Sequence, residues 1–203
     1  LVSILLLLQP DFGTYLVIIM ASFITFSVGG ARKKHIYTFF TIILIGVTLL
    51  ISFRPYMLER VKTFLNNEQN VRGSSWQVNQ SLIALGSGGF LGRGLGQSVQ
   101  KFNYLPEPIG DSIFAVIGEE VGFVGVLFML ILYGIVGVRG YVILKNSDNQ
   151  FGRLLAVGIV SIILIQKTLN ISSMLVLLPL TVVPLPFVSH GGNELIVVIF
   201  EIG

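Results

Sequence analysis

Asn103-Tyr-Leu-Pro-Glu-Pro-Ile-Gly-Asp-Ser-Ile-Phe-Ala-Val-Ile-Gly-Glu-Glu-Val-Gly122 is the stretch on which the fold turns. Its first half is polar and punctuated by Pro106 and Pro108, which break regular structure. Its second half opens an apolar run that continues to Val138 with no charge beyond Glu119 and Glu120. A run of that length suffices to cross about 30 Å of hydrocarbon, for which roughly 20 helical residues are needed. The junction delivers one carboxylate, Asp111, to the mouth of a membrane helix.

The flanking sequence agrees. Of 203 residues 53% are apolar and 11% charged, and mean hydropathy is +0.86, values that exclude an ordinary soluble domain. With no cysteine, the chain has no disulfide framework, thiolate metal site or cysteine nucleophile. The net charge of +3 says little, because the placement of Lys and Arg matters more than their sum, and nothing in the pattern calls for nucleic acid. Spans are predicted over Phe12 to Val28, Ile36 to Phe53, Ser112 to Val138 and Arg153 to Met174. Leu1 to Leu8 and Leu195 to Gly203 are each half a span. The expected fold is therefore an all-α polytopic transmembrane bundle, one membrane domain over residues 1–203 that is truncated at both ends.

Short loops carry Arg32, Lys33, Lys34, Arg139, Lys145 and Arg153, which marks their side as cytoplasmic. Residues 54–111 are then a large extracytoplasmic loop, polar and glycine-rich, of a length uncommon unless functional. The stretch from Leu177 to Gly192 contains Pro179, Pro184 and Pro186 and cannot be a regular helix. Broken backbone at membrane depth is tolerated only where protein or a water-filled cavity surrounds it.

Several residues have two readings. Gly92-Arg-Gly-Leu-Gly96 lacks the strand of a dinucleotide fingerprint and the Lys-Ser/Thr ending of a Walker loop, so it is either a tight surface turn or a backbone nest that holds phosphate with Arg93 and Lys101. Gly118, Gly122 and Gly125 are spaced to admit a neighbouring helix. Lys167 and Asn170 are interhelical hydrogen-bonding groups or catalysts. Glu119 and Glu120 point about 100° apart, and Glu119 lies about 12 Å along the axis from Asp111, so neither forms a two-carboxylate pair with it. They are functional or belong to a structural ion pair. Asp111 is either the N-cap of the following helix or a solvent-connected base flanked by apolar residues.

The order of motifs adds a further reading. Gln9-Pro-Asp-Phe-Gly-Thr14, Gln80-Ser-Leu-Ile-Ala-Leu-Gly-Ser-Gly-Gly89, Gly92-Arg-Gly-Leu-Gly96, Leu105-Pro-Glu107, Asp111 to Glu120 and Pro184-Leu-Pro-Phe187 with Ser189 and Gly191-Gly192 resemble the successive signatures of the SEDS family, the FtsW, RodA and SpoVE proteins. The resemblance implies a bacterial cytoplasmic-membrane protein that polymerises lipid II into peptidoglycan beside a class B penicillin-binding protein, this chain covering the later helices. It also implies that Asp111 is the catalytic residue, taking a proton from the acceptor hydroxyl directly or through a divalent cation such as Mg or Mn. Arg93 and Lys101 are then candidates to stabilise the departing pyrophosphate, and Asp11, Glu107, Glu119, Ser189, Gly191 and Gly192 have supporting roles. A lipid II transporter and a non-catalytic scaffold are the alternatives. The chain departs from the family pattern at Ile109-Gly110, at Val182 and at Ser189-His-Gly-Gly-Asn-Glu194.

Overall fold

The computed structural model describes residues 12–53, Phe64 and residues 74–190. The two half-spans, Asp11, residues 54–63 and 65–73 and the Gly191-Gly192 turn lie outside the described residues. The order of helices is α1 (Phe12–Val28), α2 (Lys33–Phe53), α3 (Ser74–Gly88), α4 (Gln100–Asn103), α5 (Ile113–Asn146) and α6 (Gln150–Met174), with no strand among the described residues. All four expected spans are helical. The 54–111 segment contains helices of its own, α3 and α4.

Local chemistry sets the ends. Gly30, at φ 88°, adopts the left-handed conformation that stops α1 and turns the chain into Arg32 and α2. Asn149 caps α6 by accepting the Phe151 N–H at 3.0 Å, which fixes the short turn out of α5.

The spans pack as antiparallel neighbours. Gly137 and Gly140 of α5 face Leu164 and Val160 of α6. One and two turns on, the Lys167 ammonium lies 5.8 Å from the centre of the Tyr133 ring. On the other side of α6, Gly158 faces Thr25 of α1 and Leu154 faces Gly29 just past its end, while Val17 and Ala21 pack with Ile165 and Leu169. α2 adds Phe39 against Phe23 and Phe26 of α1, with ring centres 5.6 and 6.0 Å apart. A core of Phe114, Met129, Tyr133, Ile163, Ile171 and Met174 is closed by Val78 of α3 and by Leu180 and Leu185 of the proline-rich segment.

The outer surface of these helices is apolar. In α5 only 11% of the most apolar 18-residue window is buried, and in α6 33%. A core helix of a soluble protein would hide such a surface, whereas a membrane helix presents it to lipid or to further helices.

α5 is not the single straight span that its composition suggests. Gly122, at φ 69° and ψ −167°, divides it into a leading segment, 113–121, and a trailing one, 123–146. The glycine-rich turn after α3 is laid into the break. Arg93 N–H and Gly94 N–H donate to the Glu119 and Glu120 carbonyls at 2.9 and 3.0 Å, and Phe123 N–H and Val124 N–H donate to the Gly89 and Phe90 carbonyls at 2.9 and 3.2 Å. An unbroken helix would have paired Phe123 with Glu119 and Val124 with Glu120. The loop thus takes both partners of each of these two lost bonds, so all four groups stay paired.

This arrangement decides two open readings. The N–H groups of Arg93 and Gly94 face helix carbonyls, so the turn is no phosphate nest. The small-residue spacing does admit neighbours, but different ones. Leu85 and Gly88 of α3 press on Gly118, the loop backbone presses on Gly122, and a side chain at Gly125 would first meet Val121 of its own helix.

Candidate functional site

The leading segment of α5 and α3 run side by side in the same direction, Gln77 opposite Ser112 and Gly88 opposite Gly118. Their shared start is where Asp111 stands. Glu107, at φ 45°, makes the turn before it, and its carbonyl receives the Gly110 and Ser112 N–H groups at 3.1 and 3.3 Å. Trp76 Nε1 donates to the Tyr104 carbonyl at 2.8 Å, and Gln77 Nε2 donates to Ser112 Oγ at 3.0 Å, tying the turn to α3. Ser112, not Asp111, occupies the N-cap position, and its hydroxyl donates to the Pro106 carbonyl instead of capping the helix.

Three successive carbonyls at the turn are each held by a different group. His190 N–H donates to Ile109 at 2.9 Å, Ser189 Oγ to Gly110 at 2.9 Å, and Asn170 Nδ2 to Asp111 at 2.8 Å. Ser189 Oγ also accepts the Leu185 N–H at 2.7 Å, and Asn170 Nδ2 also donates to Val183 at 2.7 Å. The turn, α6 and the proline-rich segment are therefore pinned at one place, where Asp111 is 8% exposed. The proline-rich segment is in turn fixed to α5 by the Tyr133 hydroxyl, which donates to the Pro186 carbonyl. Val176 and Phe187 bracket it at φ 57° and 66°, conformations that cost of order 1–3 kcal/mol each and persist where packing imposes them.

Asn170 is thus a hydrogen-bonding bridge, and Lys167 packs on Tyr133. Asn170 is fully buried, and replacing it with alanine leaves the Asp111 and Val183 carbonyls without their side-chain donor. At about 1–3 kcal/mol per stranded group, the expected result is a loss of about 2–6 kcal/mol in thermal unfolding of the detergent-solubilised full-length protein.

A second cluster forms at the far end of the leading segment. The Glu119 carboxylate, fully buried, accepts from Ser98 Oγ at 2.6 Å, Val99 N–H at 3.1 Å and Gln100 N–H at 3.3 Å, and lies 3.5 Å from an Arg93 nitrogen. Those donors offset the cost of burying the charge. Ser98 also accepts the Lys101 N–H at 3.1 Å, so Glu119 organises the entry to α4. Arg93 pairs with Glu119, and the Lys101 ammonium sits 5.9 Å from the Phe102 ring.

The predicted site residues therefore fall into two groups. Asp111, Glu107 and Ser189 meet at the turn, and Glu119, Arg93 and Lys101 meet at the glycine loop. Asp11, Gly191 and Gly192 lie outside the described residues. Sequence reasoning missed Trp76 and Gln77, which sit in a segment read as loop, and Ser98, whose place before a short helix was a usable capping signal. Among the described residues no three carboxylate, histidine or cysteine side chains converge.

Comparison with known proteins gives this arrangement a context. The chain is 40% identical over 200 residues to stage V sporulation protein E of Bacillus subtilis (strain 168), covering 98% of this chain and 55% of that protein. It is 39% identical over 199 residues to a probable peptidoglycan glycosyltransferase FtsW of Trichlorobacter lovleyi, covering 98% and 52%. In structure it resembles a chain from work described as "Structural coordination of polymerization and crosslinking by a peptidoglycan synthase complex", with TM-score 0.76, 27% identity and coverage of 99% and 56%. It also resembles an aspartate-to-alanine variant of the rod shape determining protein RodA of Thermus thermophilus, with TM-score 0.62, 26% identity and coverage of 99% and 50%. The chain spans about half the length of the curated relatives it matches. A sequence model of FtsW, RodA and SpoVE, described as cell cycle protein, matches residues 1–203. On that match, over a bundle whose turn, α6 and proline-rich segment meet at Asp111, the chain belongs to the FtsW/RodA/SpoVE family.

Proposed function

We propose that the full-length protein is a peptidoglycan glycosyltransferase that polymerises lipid II, with Asp111 as its general base. The observation that carries this reading is the three-way clamp on the carbonyls of residues 109–111, which fixes the one carboxylate-bearing turn shared by α3, α6 and the proline-rich segment. The relatives named as glycosyltransferases supply the reaction class. Asp111 takes the proton from the acceptor sugar hydroxyl as its oxygen attacks the anomeric carbon of the donor, and undecaprenyl pyrophosphate leaves.

A positioned base contributes on the order of 10²- to 10⁴-fold, and holding the two lipid-linked sugars in line supplies much of the rest. Glu119 is occupied by its own donors, which favours a single displacement over a two-carboxylate covalent route. Lys101 is the better remaining candidate for the leaving group, because Arg93 is paired.

The cations Arg32, Lys33, Lys34 and Arg153 gather at the end where Gly29 meets Leu154, opposite the Asn170–Asp111 contact. By the positive-inside rule this end faces the cytoplasm of a bacterial inner membrane and Asp111 faces outward, where a class B penicillin-binding protein would cross-link the product. The test is to supply purified lipid II to the detergent-solubilised full-length protein and resolve the products on a gel. A ladder of glycan polymer is expected. Absence of polymer, with lipid II instead crossing the bilayer of proteoliposomes, overturns the reading in favour of transport.

A further inference from the structure

We propose that the glycine-rich turn between α3 and α4 is a membrane-interface wedge, whose Phe90, Leu91 and Leu95 side chains enter the lipid leaflet at the Asp111 end of the bundle. These residues are 78, 82 and 80% exposed, although the turn itself is rigidly held. Large apolar side chains held out from a polar loop mark a surface that something apolar covers.

The position of the turn identifies what covers it. The Phe90 carbonyl accepts the Val124 N–H at 3.2 Å, and the Phe90 ring meets Phe123 edge-on with centres 6.0 Å apart. Val124 begins a stripe at helical spacing, Val124, Phe128, Ile131, Ile135, Val138 and Val142, all of it exposed on the trailing segment of α5. That stripe runs along a helix long and apolar enough to cross a membrane, and the tips of the turn stand at its head. The wedge therefore continues an apolar surface already at membrane depth.

Charge agrees with this placement. Between Gly89 and Gly96 the sole charged residue is Arg93, and its guanidinium is drawn back to Glu119 at 3.5 Å. The remaining residues of the turn are glycines and the three apolar tips, so between Gly89 and Gly96 no polar side chain other than Arg93 stands among them. Apolar tips anchored without their own charge match the boundary of the acyl chains. The backbone exchange at Gly122 prevents them from folding back, since a shift of the turn would break its bonds to Glu119 and Glu120.

The experiment uses the full-length protein in lipid nanodiscs. The 203 residues contain no cysteine, so Leu91→Cys and Leu95→Cys are each introduced singly, with any cysteine elsewhere replaced, and labelled with a nitroxide. Collision rates with dissolved oxygen and with a water-soluble nickel chelate are compared with two references. Ile131→Cys marks lipid, and Asp148→Cys, in the turn between α5 and α6, marks water. Both loop labels are expected to follow Ile131, with oxygen collisions exceeding those of the chelate. A pattern like that of Asp148 places the turn in water and overturns the proposal. Low access to both reagents means that protein covers the tips and overturns it equally.

Discussion

Replacing Asp111 with asparagine in the full-length protein is expected to reduce lipid II polymerisation by about 10²- to 10⁴-fold while leaving its unfolding temperature nearly unchanged. The substitution keeps the shape of the side chain and removes its capacity to take a proton. The three-way clamp is untouched, because the donors from His190, Ser189 and Asn170 all bind backbone carbonyls. Asp111→Glu is a harder test, since it keeps the base but moves it by about one bond length in a site fixed on three sides. A misplacement near 1 Å is worth about 10²-fold, so this variant also falls well below the native rate. Polymer yield at saturating lipid II, measured alongside thermal unfolding, separates the outcomes. Native yield from the asparagine variant would assign the base elsewhere.

Replacing Gly122 with valine is expected to cost the protein about 5 kcal/mol, comparable to the whole stability of a marginal domain. The pair φ 69°, ψ −167° is strained for any residue with a β-carbon, by about 1–3 kcal/mol. A β-carbon there would also run into Gly92 N and lie 2.7 Å from both the Leu91 carbonyl carbon and the Phe90 oxygen. The turn must then leave the break, and the four backbone bonds go with it, each worth about 0.5–1.5 kcal/mol. Thermal unfolding in detergent reads the loss. Gly134→Ala, in the trailing segment of the same helix with nothing within 4 Å of the added carbon, serves as the control and should stay within about 1 kcal/mol of native. If both substitutions behave alike, the interlock contributes nothing to stability.

The contrast between these two glycines shows what could be read from the chain. Spans and the order of motifs are local, so hydropathy locates the four spans well. The break at Gly122 leaves no such trace, because Val121-Gly-Phe-Val124 reads as continuous apolar helix. Its cause is a loop some thirty residues earlier whose backbone, not its side chains, supplies the partners. Asn170 was legible as an unusual polar residue in a span, but both of its acceptors are main-chain carbonyls and carry no sequence signature. Arg93 looked like a free cation because pairing with Glu119 depends on how the leading segment is turned. Asp111 stood out for the opposite reason, lying where a polar loop meets an apolar helix.

The backbone exchange at Gly122 also bears on which changes of length the chain tolerates. Surface loops ordinarily accept an inserted residue at little cost. Here each donor of the turn is matched to one carbonyl of α5, so a residue added between Gly88 and Gly94 would present every later amide to the wrong acceptor. Although it is all turn, this loop has a register, and its length is constrained as tightly as that of a strand in the middle of a sheet.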